Sequence, residues 1–194
     1  MSKLSIAAVA GLAITAAATA RPSYTGGGVT IPDNVPAGIT NTITVSDSFT
    51  IGAGTTVSFG GLNHTWVGDL IIRIRHVPSN TTATLINRPG VGAGSTFGNS
   101  ADFVASNSYA FADGGAAFPT ASPPTVIPSG TYAPATAFAA FNGLNSAGQW
   151  EIFASDNAGG DTGGWNSWTL TLVPTPGAAA VFGLAGLAGL RRRR

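Results

Sequence analysis

The chain has 194 residues, enough for one domain with short additions at its ends, and it has no cysteine, which excludes disulfides and thiolate metal sites. Charged residues make up 9%, against 27 glycines and 12 prolines, a composition that favours short strands and turns over long amphipathic helices. The formal charge of +1 sits in the ends: between Arg21 and Val173 four Arg face seven Asp and Glu151, a net −4 that excludes a basic stripe for nucleic acid.

Residues 1–20 read as a secretory leader. Lys3 gives the positive start, Leu4 to Ala17 the apolar stretch, and Ala18-Thr19-Ala20 a small-x-small site that predicts cleavage between Ala20 and Arg21. Residues 21–40 hold Gly26-Gly27-Gly28 and three prolines, and read as a spacer or irregular edge segment. Asn41–Val45 and Ser48–Ile51 are expected as a strand pair or one bent strand, and Thr55–Phe59 as the next strand. Apolar parity changes across Gly60-Gly61, from Val57 and Phe59 to Leu62, His64 and Trp66, which predicts a bulge there.

The run Asp69–His76 sets the face of the domain. Leu70, Ile72 and Ile74 alternate with Arg73 and Arg75, the period of a half-buried strand. Pro78-Ser79-Asn80 is turn chemistry. Short strands are expected over 102–104 and 108–111, and a long surface loop over the Ala/Pro-rich 112–135. Gln149–Ala154 and Asn166–Val173 read as strands, with Trp150, Ile152, Trp168, Leu170 and Leu172 inward.

Two blocks of these residues carry a family likeness. One is His64-Thr65, then Gly68-Asp69-Leu70 with Ile72 and Ile74, then Leu85. The other is Gly148-Gln149-Trp150-Glu151-Ile152, then Asp156, Asp161-Thr162-Gly163 and Trp168-Thr169-Leu170. Over residues 40–173 the chain resembles the P domain (Homo B) that follows the catalytic domain of subtilisin-like proprotein convertases. The likeness implies an all-β fold: a jelly-roll β-sandwich of about eight strands, galactose-binding-like, over residues 41–173. Asn80 stands where that family usually has Gly, and the 112–135 stretch has no counterpart in it.

Residues 174–194 form the last segment: Pro174-Thr175-Pro176, the apolar run Gly177–Leu190, expected as a helix, and Arg191, Arg192, Arg193 and Arg194. They resemble the PEP-CTERM sorting tail of exported bacterial proteins, with Thr175 in the place of Glu. That likeness implies an exosortase as partner, a transient membrane contact through leader and tail, and a surface or extracellular location.

The chain has no Gly-x-Ser-x-Gly elbow, so His64 and His76 lack an evident nucleophile to serve. His64 reads as a strand histidine hydrogen-bonded to a neighbour, and His76 as half-exposed. A metal is the more substantial question. The Asp156–Gly164 loop offers carboxylates and free carbonyls of the kind Ca²⁺ takes, although it lacks EF-hand spacing. Asp69, Asp102, Asp156 and Asp161 are the candidate ligands, with Asp113 a further one; the competing role for each is an Asx-turn. Trp66, Trp150 and Trp168 fall at inward parity, whereas Trp165 lies in a Gly-rich turn and is the candidate for an exposed sugar-stacking ring. The sequence therefore points to an exported, non-catalytic surface or matrix protein with an interaction module. A Ca²⁺- or glycan-binding module, or an accessory of a separate subtilisin-like protease, stand as alternatives.

Overall fold

A computed structural model describes residues 21–92 and 95–176. The leader of residues 1–20 and the Gly177–Arg194 part of the tail lie outside the described residues. The fold is an all-β sandwich. Its strands are β1 (Ser23–Gly26), β2 (Val29–Ile31), β3 (Ile39–Val45), β4 (Thr56–Gly60), β5 (Asn63–His64), β6 (Leu70–His76), β7 (Thr81–Asn87), β8 (Tyr109–Ala116), β9 (Gly130–Tyr132), β10 (Gly148–Asp156), β11 (Gly163–Trp165) and β12 (Ser167–Thr171). They form a five-stranded sheet β1-β12-β4-β8-β9, a four-stranded sheet β3-β10-β6-β7 and a small sheet β2-β11-β5. All pairs are antiparallel except β8 with β9.

Period-two patterning builds the core. Val57 and Phe59 of β4, Tyr109 and Phe111 of β8, and Trp168 and Leu170 of β12 turn inward from one large sheet. Leu70, Ile72 and Ile74 of β6 and Trp150, Ile152 and Ala154 of β10 turn inward from the other. Arg73 and Arg75 point away from that core, as the alternation predicts; Arg75 Nε meets Glu151 at 3.2 Å, and Arg73 lies over the Phe153 ring. The register of β7 on β6 shifts between Ile72 and Arg73, which sets Leu85 as an extra residue and lets Leu85 and Ile86 both be buried. Asn80 closes the β6–β7 turn at φ 52°, a left-handed conformation that Asn tolerates.

Among the described residues eight strands of four residues or more match the expected number, and four short ones, β2, β5, β9 and β11, add to them. Other expectations are corrected. Of the two readings of residues 21–40, the edge segment holds and the spacer does not: β1 pairs with β12 over Ser23–Gly26 and β2 with β11 over Val29–Ile31, each at the edge of its sheet. Gly26 and Gly28 mark close approaches to Trp168 and to the Trp165 carbonyl, and each strand here is too short to show a period. The 112–135 stretch is not one long loop, because β8 continues to Ala116, β9 occupies Gly130–Tyr132, and Phe118 packs against Phe111 and Tyr132. His76 is buried rather than half-exposed; its Nδ1 pairs with Ser79 Oγ at 2.9 Å, its Nε2 with the Ala147 carbonyl at 3.2 Å, and its ring lies on Trp150.

Candidate metal centre

Three register relations assemble the acidic centre. On β10 and β6, Asp156 stands opposite Leu70, which sets it beside Asp69. On β11 and β5, Gly163 stands opposite His64, which brings Thr162 and Asp161 alongside. A bridge between His64 and Phe103 delivers Asp102 to the same place. Asp69, Asp102, Asp156 and Asp161 therefore lie near one another at one end of the sandwich, together with His64 and Arg88.

Backbone geometry holds this end closed. Val67–Asp69 make a single 3₁₀ turn before β6, and Gly68 N–H donates to the Asn99 carbonyl at 2.9 Å. The Asp69 carbonyl accepts from Asn157 N–H and from the Asn157 side-chain amide, both at 2.9 Å. Asp33 Oδ1 accepts from Gly160 N–H at 3.0 Å and so ties the loop after β10 to the turn after β2. Gly163 and Gly164 carry no side chain because a Cβ there would strike the Asn63 and Val29 carbonyls; only bare backbone lets β11 lie between β2 and β5.

The centre holds more buried oxygen than it satisfies. Asp69, Asp156 and His64 are 1%, 0% and 1% exposed. Both Asp69 carboxylate oxygens, Asp156 Oδ2, Asp102 Oδ1 and His64 Nε2 are buried without a hydrogen-bond partner. His64 Nε2 faces Asp156 Oδ2 at 3.4 Å, while its Nδ1 lies 3.3 Å from the Trp66 carbonyl. A neutral imidazole has one N–H, so one of these two acceptors meets a nitrogen lone pair. Arg88 Nη2 reaches Asp69 Oδ1 at 3.5 Å and its Nε donates to the Gly68 carbonyl at 3.2 Å.

Electrostatics follow from this crowding. Asp69 is pushed up to about 6, first by burial, then by its contact with Asp161 and the charges of Asp156 and Asp161, with Arg88 opposing. Burial also raises Asp102, helped by Asp161, and lowers His64 against the pull of Asp156. Among the described residues no group of three or more His, Asp or Glu side chains is placed to hold a metal ion. The arrangement is instead two facing pairs, Asp69 with Asp161 and Asp156 with His64, with unpartnered oxygens between them. Ca²⁺ takes six to eight oxygens, so these pairs and the nearby loop carbonyls would have to draw together to hold one.

Asp113 does not join the cluster. Its carboxylate caps the 3₁₀ turn Phe138–Phe141, accepting from Phe138 N–H at 2.6 Å and Ala139 N–H at 2.9 Å. The tryptophan assignment is reversed at two positions. Trp165 is buried against Phe59, with ring centroids 5.2 Å apart, because Gly163–Trp165 is a strand and not a turn. Trp66 is 40% exposed, because β5 ends at His64 and the chain leaves strand alternation before the 3₁₀ turn. Sequence reasoning missed Arg88, which lies after β7 and is drawn in at φ 43°, and Phe97, exposed beside Trp66. The single cationic side chain near so many Asp residues was the available signal for Arg88.

No family model matches the chain, and no curated protein matches it. Among solved structures it is similar to a chain of the crystal structure of the Aeromonas sobria serine protease in complex with the chaperone ORF2. There the TM-score is 0.43 and the identity 13%, over 80% of this chain and 28% of that one. It is also similar to the serine protease of Aeromonas sobria crystallised alone, with TM-score 0.42 and 12% identity over 79% of this chain and 27% of that one. The chain spans less than a third of the length of these neighbours.

Proposed function

We propose that the chain is an exported, non-catalytic β-sandwich module whose acidic end binds a divalent cation, Ca²⁺, and that the ion sets the stability and shape of an interaction surface. One observation carries the reading: carboxylate oxygens of Asp69, Asp156 and Asp102 are buried at one end of the sandwich without a hydrogen-bond partner, with only the longer contacts of Arg88 and His64 at 3.5 and 3.4 Å beside them. Like charges gathered away from water need a compensating charge, and Arg88 alone does not match them. A proton on Asp69 is one solution, consistent with its raised value; a divalent ion among Asp69, Asp156 and Asp161 is the other, and it serves at neutral pH. Asp69, Asp156 and Asp161 would hold the ion together with carbonyls of the 156–164 loop, and would have to draw closer than they stand here to do so. The ion supplies positive charge and cross-links the start of β6 to the end of β10.

The two nitrogens of His64 face a carboxylate and a backbone carbonyl, the surroundings of a buried structural histidine. Export is supported by the leader-like sequence 1–20, and mass analysis of the secreted protein should find Arg21 at its start. The deciding experiment is thermal unfolding of the purified chain in Ca²⁺ and in chelator. A ligand held only by the folded state stabilises by RT ln(1 + [L]/Kd), about 2.7 kcal/mol at a hundredfold excess. Superimposable curves would remove the cation from the reading.

The sequence likeness to the P domain favours a second reading, an accessory of a separate subtilisin-like protease. Recovery of such an enzyme with the chain from native extracts would support it, and a monomer free of protease would count against it.

A further inference from the structure

Above the acidic centre lies an open cleft of about 360 Å³. Its walls are the Trp66 and Phe97 side chains, its floor is Asp69 and Asp161, and its far side is the Ala158–Gly160 loop. Trp66 is 40% exposed and Phe97 55%, the two most exposed aromatic rings at this end, and they flank the same opening. Large apolar rings left in water at a concave site are the usual mark of a ligand face, and the volume falls within the range of small-molecule pockets, about 300–1,000 Å³.

The walls are held in place. Gly68 has the Phe97 carbonyl and Asn99 against its Cα, so that no side chain fits there. Gly98 N–H donates to Ser95 Oγ at 2.8 Å, and Asn99 N–H donates to the Pro89 carbonyl at 2.8 Å. Arg88 donates through Nε to the Gly68 carbonyl and contacts Asp69, so one side chain links the acidic centre to the aromatic wall. On the opposite side Gly160 sits at φ +107° with open space where a side chain would be, which leaves bare backbone facing the cleft.

We infer that this cleft takes a residue of a neutral polysaccharide, its apolar ring face packed on Trp66 and Phe97 and its hydroxyls bonded by Asp161 and the glycine backbone. Aromatic rings offer a flat apolar surface to sugar C–H groups, and the Asp161 carboxylate with the loop carbonyls offers the acceptors that hydroxyls need, while the Gly160 and Ala158 N–H groups are held by Asp33 and Asp156. Two features favour a neutral class. Asp69 lies at the floor but is 1% exposed and Asp156 is fully buried, so the half-buried Asp161 is the carboxylate an ammonium group of a ligand would reach first. The region from Arg21 to Val173 carries a net −4, which disfavours an anionic polymer. The inference rests on the cation reading, because the ion would fix the 156–161 loop that forms one wall.

The test separates the two. Of four tryptophans, Trp150, Trp165 and Trp168 are buried, so a change in emission reports Trp66. The whole chain is titrated with dextran, laminarin, galactomannan and yeast mannan, by tryptophan emission and by retardation in gels cast with each polymer, in Ca²⁺ and in chelator. The expected result is a saturating blue shift and retardation with at least one polymer in Ca²⁺, weakened tenfold or more in chelator. Trp66→Ala should abolish the retardation, and Phe97→Ala, at a more exposed position, should weaken it tenfold or more while both variants keep the parent's melting temperature. If Ca²⁺ raises the melting temperature but no polymer shifts emission or mobility, the cation reading stands and the saccharide inference falls. Retardation unchanged by both substitutions also overturns it, as does an emission response to tetramethylammonium alone. Binding that is equal in Ca²⁺ and chelator, and lost in Trp66→Ala, keeps the sugar site and removes the ion's part in it.

Discussion

Replacing Asp69 by Asn tests the electrostatic argument most directly. The carboxyl is raised from 3.8 to about 6 in the folded protein. Between those pH values the folded chain binds more protons than the unfolded one, so stability falls as pH rises through the window and the full penalty is present above about 6. The displacement corresponds to about 3 kcal/mol, reduced to about 2 kcal/mol by screening from water in the cleft. Asn keeps the size and removes the charge, at the loss of one 3.5 Å contact with Arg88. In chelator at pH 7.5, Asp69→Asn should therefore melt higher than the parent, by about 4–8 °C for a domain of this size. At pH 4.5 the two should melt much closer together, because the parent carboxyl is by then mostly protonated. In Ca²⁺ the order should reverse, since the parent gains the ion's stabilisation and the variant does not. Calorimetry at two pH values, with and without Ca²⁺, reads all four conditions. A variant that melts lower than the parent in chelator at both pH values, and still responds to Ca²⁺, would refute the reasoning: Asp69 would then be a structural acceptor and no part of an ion site.

Other substitutions probe what holds the site in place. Gly163→Ala puts a methyl group against the Asn63 carbonyl and should cost about 1–3 kcal/mol or more in urea unfolding, with loss of any Ca²⁺ response because β5 and β11 separate. Trp168→Phe removes a fully buried indole whose Nε1 donates to Asn41 Oδ1 at 2.7 Å across the two large sheets, and should cost about 2–3 kcal/mol by the same assay. Arg75→Ala breaks a partly exposed pair with Glu151 at 3.2 Å and should change stability by less than about 1 kcal/mol, a control on the outer face of β6.

The parts of this fold legible in the sequence are those with a period. β6 and β12 declare themselves by alternation, and the structure keeps Leu70, Ile72 and Ile74 on one face and Trp168 and Leu170 on the other. β2 and β11 do not, because three residues such as Val29–Ile31 or Gly163–Trp165 hold no period at all. Gly163 and Gly164 look like a turn when read alone; they are strand residues whose missing side chains allow two neighbours to close in. The ligand candidates were legible one by one as Asp residues near turns. Their convergence was not, since it depends on Asp156 facing Leu70 and Gly163 facing His64, pairings between segments about 90 to 100 residues apart. Trp66 and Trp165 exchanged roles for the same reason: parity assigns a face only where a strand continues, and β5 is two residues long.

The small sheet β2-β11-β5 explains why the site lies at this end. The four-stranded sheet supplies both Asp156, at the end of β10, and Asp69, in the turn that leads into β6, and these alone would be two like charges at one end of a sheet. β11 brings Asp161 to them only because it is held on both sides, by His64 and Asn63 of β5 and by Val29–Ile31 of β2. β2 comes from the glycine- and proline-rich start of the domain, and Asp33, just beyond it, fastens the Gly160 loop. The segment that looks most like a linker is thus the clamp that presses a third carboxylate against two others. Relief of that pressure by an ion, and not the strength of any one contact, is what would make the surface around Trp66 and Phe97 responsive to Ca²⁺.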